Sequence, residues 1–443
     1  MKIRFSHGQI IVLGFFLMIV VGTLLLCLPA STADGQGAPL LTALFTATSA
    51  SCVTGLVLQD TATYWSSLGK VVIITLIQIG GLGFMTISTL FFLLLRSKMG
   101  LRQREVLVES INTTAVGGVL SLTRLILIGT AVVELLGAAL LSIRFIPLYG
   151  PWKGSLVSLF HSISAFCNAG FDLMGEVEPY TSFAPFAGDW LVNLTLIFLI
   201  VSGGIGFAVW DDLRKNKLHA RHYRFQTRLV LLTSGILLLG GAVVIWLFER
   251  RYTMASLPAG EQVLTALFAS ATARTAGFNT VDVGAMSEGG RLITMILMFI
   301  GGSPGATAGG VKTTTIVVVM VAAVSVVRGK QHPNVLGRRI SDELLHKAVA
   351  VVMFNLVIAL CGTLVLCLFQ DFSLSDALFE CISAIGTVGM TTGITRELNT
   401  LSALVVAAIM FAGRVGSVSF AMALIEKKAR PAVTCPTERL TIG

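Results

Sequence analysis

The sequence predicts an all-α membrane protein made of four covalently linked units, each a helix, a re-entrant short helix with its loop, and a second helix. Three observations carry this prediction. The 443-residue chain is 54% hydrophobic and only 12% charged, against about 25% charged for an average soluble protein, and its mean hydropathy is +0.85. Such a chain has too few polar groups to cover a soluble surface. Apolar runs that suit a bilayer-spanning helix of about 20 residues occur eight times: Ile10–Leu28, Val71–Leu95, Leu125–Ile143, Leu191–Trp210, Leu229–Phe248, the overlong and broken Leu292–Val327, Ala348–Phe369 and Leu401–Ile425. Between runs 1 and 2, 3 and 4, 5 and 6, and 7 and 8, one short apolar segment recurs.

The first run follows "MKIR" and lacks a clean small-x-small cleavage site, so it reads as a retained helix. The recurring segments are "ALFTATSASCVTGL" (43–56), "SLFHSISAFCNAGF" (158–171), "ALFASATARTAGF" (266–278) and "ALFECISAIGTVGM" (377–390). Each begins Leu-Phe and ends on Gly followed by a large apolar residue. The glycines, Gly55, Gly170, Gly277 and Gly389, lie 115, 107 and 112 residues apart, and the third copy is one residue shorter. A repeat at one place in four successive units is a structural unit. Segments this short read as re-entrant. The second helices also align by small residues, in "IQIGGLGFMT" (77–86), "IVSGGIGFAV" (200–209), "MFIGGSPGATAGG" (298–310) and "MFAGRVGSVSFAM" (410–422), which lets backbones approach closely.

Net charge is +9. The Lys and Arg concentrate in "RSKMGLRQR", "RKNKLHARHYRFQTR", "RGKQHPNVLGRR" and "EKKAR", while the alternate connections are sparse. The positive-inside rule then places both termini in the cytosol of a multi-pass cell-membrane protein. The charge is thereby explained without nucleic acid. The seven cysteines, most of them in or beside apolar runs and none in CxxC spacing, read as small buried hydrophobes.

Non-helical backbone at membrane depth must be buried in protein or line a water-filled cavity. Four short helices can descend and turn back as extended strands whose carbonyl oxygens line an axis and replace a cation's hydration shell. Each helix aims its partly negative C-terminal end at that axis. The fold class becomes four helix–pore-loop–helix units, with eight transmembrane helices and four re-entrant pore helices around one central pore. The unit boundaries are 1–99, 100–216, 217–332 and 333–443. The lining residues are Val53, Thr54 and Gly55; Asn168, Ala169 and Gly170; Thr275, Ala276 and Gly277; Thr387, Val388 and Gly389.

These four glycine tetrads, with the Gly-rich break in the sixth helix, resemble the Trk/Ktr/HKT superfamily of potassium transporters across nearly the whole chain. The chain begins directly with the first unit and looks most like the Ktr-type membrane subunit. The resemblance implies potassium as the transported ion, bound at the tetrads, and, because all four places hold Gly, selectivity for it. It implies sodium dependence, for which no residue is assigned. It also implies a homodimer in membrane lipid on a separate cytosolic nucleotide-binding regulatory ring of the RCK type.

"GGSPGATAGGVKT" (301–313) interrupts the sixth helix, and five Gly with one Pro cannot hold a straight helix. Val311 separates Gly310 from Lys312, so the phosphate-loop pattern GxxxxGK[ST] is not met, and apolar helix flanks both sides. A packing kink is one reading. The resemblance implies the other, a gate beneath the filter built from Gly301, Gly302, Ser303, Gly305, Thr307, Gly309, Gly310 and Lys312, together with Arg414 of the eighth helix. A mid-helix arginine costs about 2.5–3.5 kcal/mol on insertion scales, so it must face protein or water. It either pairs with a buried carboxylate such as Glu134 or stands in the ion path. Arg274 aligns with Cys52, Cys167 and Gly386 and is expected to brace its loop from behind. Asp376 and Glu380 are expected to serve the fourth pore helix.

The alternative function is a sodium- or proton-coupled cation carrier of lower potassium selectivity, since broken helices suit carriers too. Four parallel repeats rather than an inverted pair favour the pore, and Glu134 is the one carboxylate well inside a span. An enzyme is disfavoured by the absence of HExxH, GxSxG and paired carboxylates.

Overall fold

Gly and the polar caps divide the apolar chain into helices. The computed structural model describes residues 7–83, 119–176, 178–217, 219–330 and 332–416. The 84–95 part of the second run, the 417–425 end of the last, the basic segments 96–104 and 426–430, and Cys435 lie outside these residues. The described helices are α1 (His7–Leu26), α2 (Leu40–Cys52), α3 (Ser67–Leu82), α4 (Val119–Tyr149), α5 (Pro151–Phe166), α6 (Trp190–Gly204), α7 (Phe207–Asn216), α8 (Phe225–Glu249), α9 (Ala259–Thr272), α10 (Glu288–Phe299), α11 (Thr313–Val327), α12 (Asp342–Phe369), α13 (Leu374–Gly386) and α14 (Thr400–Val415). A one-turn helix, Thr61–Tyr64, precedes α3. The only sheet among the described residues is a small hairpin, β1 (Asn334–Val335) with β2 (Arg338–Arg339), which the all-α expectation did not include.

The chain repeats a pattern. Among the described residues, four helices are long and apolar enough to cross a membrane: α1, α4, α8 and α12. Each leads into a short helix, α2, α5, α9 or α13. A second helix follows, and its start is set the same way four times. Ser66, Asp189, Ser287 and Asn399 each accept the backbone N–H three residues on, which satisfies one orphan donor of the first turn.

These second helices stop early. The 16 residues of α3 rise only about 24 Å. It ends at Gly83 and α14 ends at Gly416, with φ of 85° and 91°, a region open to Gly and strained for other residues. At the equivalent Gly206, φ 92°, the chain turns by 97° from α6 into α7. The run Leu191–Trp210 therefore does not continue straight. The Phe207 N–H bonds to the Gly305 carbonyl at 3.0 Å instead of continuing the α6 ladder.

The core lies at the seams between successive repeats. Phe166, Phe171, Phe183 and Phe278 join one cluster, with Phe183 and Phe278 edge to face at 5.4 Å. Phe45 and Leu56 pack with Ile385 and Met410 in a second, which brings the first repeat against the last. Close approach is built in. A Cβ placed on Gly80, Gly203 or Gly413 would strike the carbonyl oxygen of Ser51, Phe166 or Ile385. Each of those carbonyls lies four residues before a loop glycine, so one contact is made three times.

Gly413→Ala is accordingly expected to overpack a backbone contact that cannot give, at about 1–3 kcal/mol. Gly235, on α8, has nothing within 4 Å of a built Cβ, so Gly235→Ala should be neutral or gain up to about 1 kcal/mol of helix propensity. Melting temperatures in detergent check both, and equal behaviour of the two variants refutes the contact.

Candidate functional site: a ring of four loops

Each short helix ends the same way. Val53, Asn168, Thr275 and Thr387 adopt left-handed backbone, with φ of 57°, 59°, 75° and 51°, two residues before each loop glycine. This is uncommon for non-Gly residues and an outlier for β-branched ones. Strain of this kind, about 1–3 kcal/mol per residue, persists only where the surroundings fix it. What fixes it here is visible. The Thr54 N–H reaches Ser49 O at 2.8 Å, Ala169 reaches Ser164 O at 2.8 Å and Val388 reaches Ser383 O at 2.9 Å, so the freed donors fold back onto the last turn.

A hydroxyl then brackets each strand. The Gly55 N–H donates to Ser49 Oγ at 3.0 Å and the Gly389 N–H to Ser383 Oγ at 3.1 Å. Ser164 Oγ donates to Phe171 O at 2.7 Å and Thr272 Oγ1 to Phe278 O at 2.8 Å. The sequence reading missed these four. Their signal was a Ser or Thr six residues before the glycine, or five in the copy that is one residue shorter.

The four loops close on one another. A Cβ on Gly55 would lie 2.5 Å from Ala169 O, and one on Gly170 would lie 2.8 Å from Ala276 O. One on Gly277 would strike Val388 O, and one on Gly389 would strike Thr54 O. The order 55, 170, 277, 389 and back to 55 is a ring. Every member is buried or has left-handed φ. All four glycines line a vestibule of about 490 Å³, together with the acidic Asp60, Asp172, Glu178 and Asp282 and the basic Arg396. Burial, helped by the charge of Asp60 and opposed by the hydrogen bond from the Met174 N–H, raises the Asp172 carboxyl to about 6. A collar joins the repeats around this mouth. The Tyr180 N–H donates to Asp60 Oδ2 at 3.0 Å, and Arg396 stacks 3.9 Å from the Tyr180 ring. The Phe183 N–H reaches Asn279 O at 2.8 Å.

The segment 300–312 replaces helix between α10 and α11, and it docks against the back of the ring. Thr307 Oγ1 bonds Phe166 O and Asn168 Oδ1, both at 3.1 Å. Asn168 Nδ2 continues to Thr275 Oγ1 at 3.4 Å. The Ser303 N–H reaches Gly204 O at 2.9 Å, the Gly301 N–H reaches Val311 O at 2.9 Å, and the Thr313 N–H reaches Gly302 O at 3.1 Å. Gly305 and Gly310 take φ of 69° and 66°. A Cβ on Gly309 would meet the Thr387 side chain, and one on Gly310 would meet Gly386 O at 3.1 Å. Lys312 Nζ turns onto its own loop, to Ala308 O at 2.6 Å and Gly309 O at 3.4 Å, so it cradles no phosphate.

Arg414 clamps this segment. Its guanidinium donates to Thr307 O, to Gly80 O and, at 3.3 Å, to Gly81 O. It does not pair with Glu134, whose Oε2 accepts from Gln78 Nε2 at 3.2 Å. Arg274 is buried and donates to Ser234 O at 3.3 Å and Ser234 Oγ at 3.2 Å, behind its loop. Asp376 holds Arg291 at 3.2 Å, and Glu380 accepts from Thr391 at 2.8 Å and Thr395 at 2.5 Å.

An apolar helical chain that closes four of its own loops into one ring, open to an acidic vestibule, is a membrane protein suited to moving cations. The chain belongs to the TrkH family of cation transport proteins, which its sequence matches over residues 2–431. It is 39% identical over 424 residues to the Ktr system potassium uptake protein B of Bacillus subtilis, covering 94% of this chain and 93% of the relative. It is 36% identical over 447 residues to the potassium/sodium uptake protein NtpJ of Enterococcus hirae, covering 99% and 98%. The crystal structure of the potassium transporter TrkH from Vibrio parahaemolyticus shares the fold, with a TM-score of 0.75 at 16% identity over 96% of this chain and 86% of that one.

Ser383→Ala leaves the buried Gly389 N–H without its acceptor, which is expected to cost about 1–3 kcal/mol. Thr46, whose buried hydroxyl has no partner among the described residues, is the control, and Thr46→Val should be neutral or stabilising. Thermal unfolding in detergent compares the two. A Ser383→Ala protein as stable as the parent refutes the bracket.

Proposed function

We propose that the chain takes up potassium across the cell membrane through the ring, as the ion-translocating subunit of a Ktr-like system. The single observation that carries this reading is the closed order of Gly55, Gly170, Gly277 and Gly389, each abutting the carbonyl that precedes the next. Those carbonyls belong to Thr54, Ala169, Ala276 and Val388. A cation entering the ring exchanges water for such dipoles, and four helix C-termini add partial negative charge. The residues of the four strands, from Val53 to Gly55, Asn168 to Gly170, Thr275 to Gly277 and Thr387 to Gly389, form the filter. The names of the relatives support potassium as cargo, with sodium as a second ion.

In this reading the chain is four pore units, 1–99, 100–216, 217–332 and 333–443, with eight spans and both termini in the cytosol. Segment 301–313 and Arg414 form the gate. The loop is held shut by Thr307 and the Arg414 clamp. It opens when those hydrogen bonds are exchanged for water. A homodimer on a cytosolic nucleotide-binding ring is the assembly the Ktr likeness supports. A coupled carrier is the weaker reading, because a ring shared equally by four parallel segments leaves no inverted pair to rock.

Gly55→Ser or Gly277→Ser places a side chain where only backbone fits, at φ of 96° or 81°. Discrimination for potassium over sodium is expected to fall by about tenfold or more, which is ~1.4 kcal/mol at the filter. Rubidium uptake into vesicles under sodium competition measures it, and unchanged selectivity in both variants at normal expression sinks the filter assignment.

Arg414→Gln removes charged hydrogen bonds worth about 1.5–3 kcal/mol, and so should raise the open population and the maximal flux by roughly ten- to a hundredfold. Shortening the loop between Gly302 and Gly310 should act in the same direction. Lower flux with an intact fold, for either variant, makes the segment a packing kink.

A further inference from the structure

We propose that the groove at the C-terminal end of α11 is a binding site for an anionic phospholipid. The acyl chain lies along Met320, Val321 and Val324, and the phosphate sits on Arg328 and Lys330. A cavity of about 250 Å³ is lined by these five residues with Ser325 and Asn334. Positions 320, 324 and 328 follow one another at i, i+4 and i+8, which puts them on one helix face. The apolar stripe therefore ends in a guanidinium.

The chain then folds the second cation over the same end. Gly329 takes φ 64°, and the Lys330 N–H returns to Ser325 O at 2.9 Å. Asn334 follows on β1, whose register pairs Asn334 with Arg339 and Val335 with Arg338, so two more arginines stand at this hairpin. Neither Arg328 nor Lys330 forms an ion pair among the described residues, whereas Arg339 reaches Asp342 at 4.0 Å.

Depth and charge select the occupant. The 15 residues of α11 rise about 22 Å, starting from Thr313 against the ring-docked loop. Half of a bilayer core is roughly 15 Å, so Arg328 reaches headgroup level in the leaflet opposite the vestibule. Met320 and Val324 are 59% and 45% exposed below it, at acyl depth. The helix C-terminus repels an anion with about half a charge, and two full cations outweigh that. A soluble anion would use the cations and leave the stripe idle. A zwitterionic lipid would use the stripe and gain little from the cations. An anionic phospholipid uses both, as basic pockets at this membrane level do.

The site lies on the helix that carries the gate loop. The Thr313 N–H bonds Gly302 O at 3.1 Å, and Thr313 Oγ1 lies 3.2 Å from Ser303 Oγ. Only Thr313, Ala322 and Ser325 of α11 are fully buried, and the helix packs against α12 and α8 on one side. A lipid that pins its far end favours one loop position. This coupling rests on the gating reading above; binding does not.

The experiment has two readouts on the full-length protein. Native mass spectrometry counts phosphatidylglycerol retained against phosphatidylcholine, and rubidium flux is compared in vesicles with and without phosphatidylglycerol. The double variant Arg328→Gln/Lys330→Gln should lose retained phosphatidylglycerol by about thirtyfold in affinity, which is ~2 kcal/mol at 1.4 per decade, and its flux should no longer depend on lipid charge. Val324→Trp keeps both charges and fills the acyl half, and it should also lower retention. The control Arg214→Gln/Lys215→Gln, at the end of α7, should retain lipid as the parent does. Equal losses in the control, or full retention in Val324→Trp, overturn the site in favour of general surface charge. Displacement of the lipid by inorganic phosphate, or a change only in oligomeric state, overturns it in favour of a soluble anion or a second copy. Retention that behaves as expected, with flux indifferent to it, keeps the site and removes the coupling to the gate.

Discussion

The structure depends on one constraint: backbone that leaves a helix inside an apolar protein must find hydrogen-bond partners there, because each orphaned group costs several kcal/mol without water. Four times the chain leaves a helix in this way. The N–H groups are consumed locally, by the last helical turn and by Ser49 and Ser383. Ser164 and Thr272 take up the carbonyls of Phe171 and Phe278 beyond the loops. The carbonyls of Thr54, Ala169, Ala276 and Val388 are instead crowded against neighbouring glycines in a ring. A set of carbonyl acceptors converging on one place is what the proposed filter requires, so folding and the proposed function would share a cause. The glycines of the second helices belong to the same account. Gly80, Gly203 and Gly413 let those helices reach the carbonyls just behind the ring, and larger residues would hold the loops apart.

The third repeat departs from this symmetry, and Arg414 answers the departure. Where the other second helices carry Gly81, Gly204 or Gly302 as the second of a glycine pair, α14 carries arginine. Gly80 and Gly81 are among the last residues of α3, whose final four carbonyls have no partner in their own helix. Thr307 presents another such carbonyl from a segment with no helix at all. A guanidinium offers five donors in a fixed fork and binds all three. The half-buried cation lies next to acceptors rather than beside a carboxylate, and the clamp joins the first repeat, the third and the fourth. Charged groups that hold backbone carbonyls can exchange them for water, which suits the gate proposed above.

Much of this was legible in the sequence, because glycine and spacing are direct signals. The four glycines that align at 115, 107 and 112 residues do meet, and the break at 301–313 falls where five Gly and one Pro exclude a straight helix. What was not legible lies in contacts between distant segments. Arg414 and its acceptor Gly80 are 334 residues apart, and Glu134, one of the two alternatives offered for it, accepts from Gln78 instead. Tyr180 meets Asp60 across 120 residues, and no local pattern marks either. The bend after α6 was missed for another reason. Gly203, Gly204 and Gly206 sit in an unbroken apolar run, where hydropathy alone reads straight through a glycine whose positive φ only the fold reveals.

The proposed filter and the proposed gate demand opposite mechanics, and the burial pattern differs between the ring and the loop before α11. A ring that distinguishes ions must hold its carbonyls in place. Strained residues such as Val53 and Thr387 can be held only where the surroundings are fully packed, and both are at most 1% exposed. A gate must have two positions separated by a few kcal/mol. The loop before α11 is tied to the ring by a handful of hydrogen bonds through Thr307, Ser303 and Arg414, and α11 itself buries three side chains. Each of those bonds is worth about 0.5–1.5 kcal/mol when neutral and more when charged, so their sum is of the size that a ligand or partner can offset. The core around the ring, by contrast, joins clusters from all four repeats. In the proposed reading the rigid and the movable parts touch directly, joined by the hydrogen bond from Thr307 to Asn168.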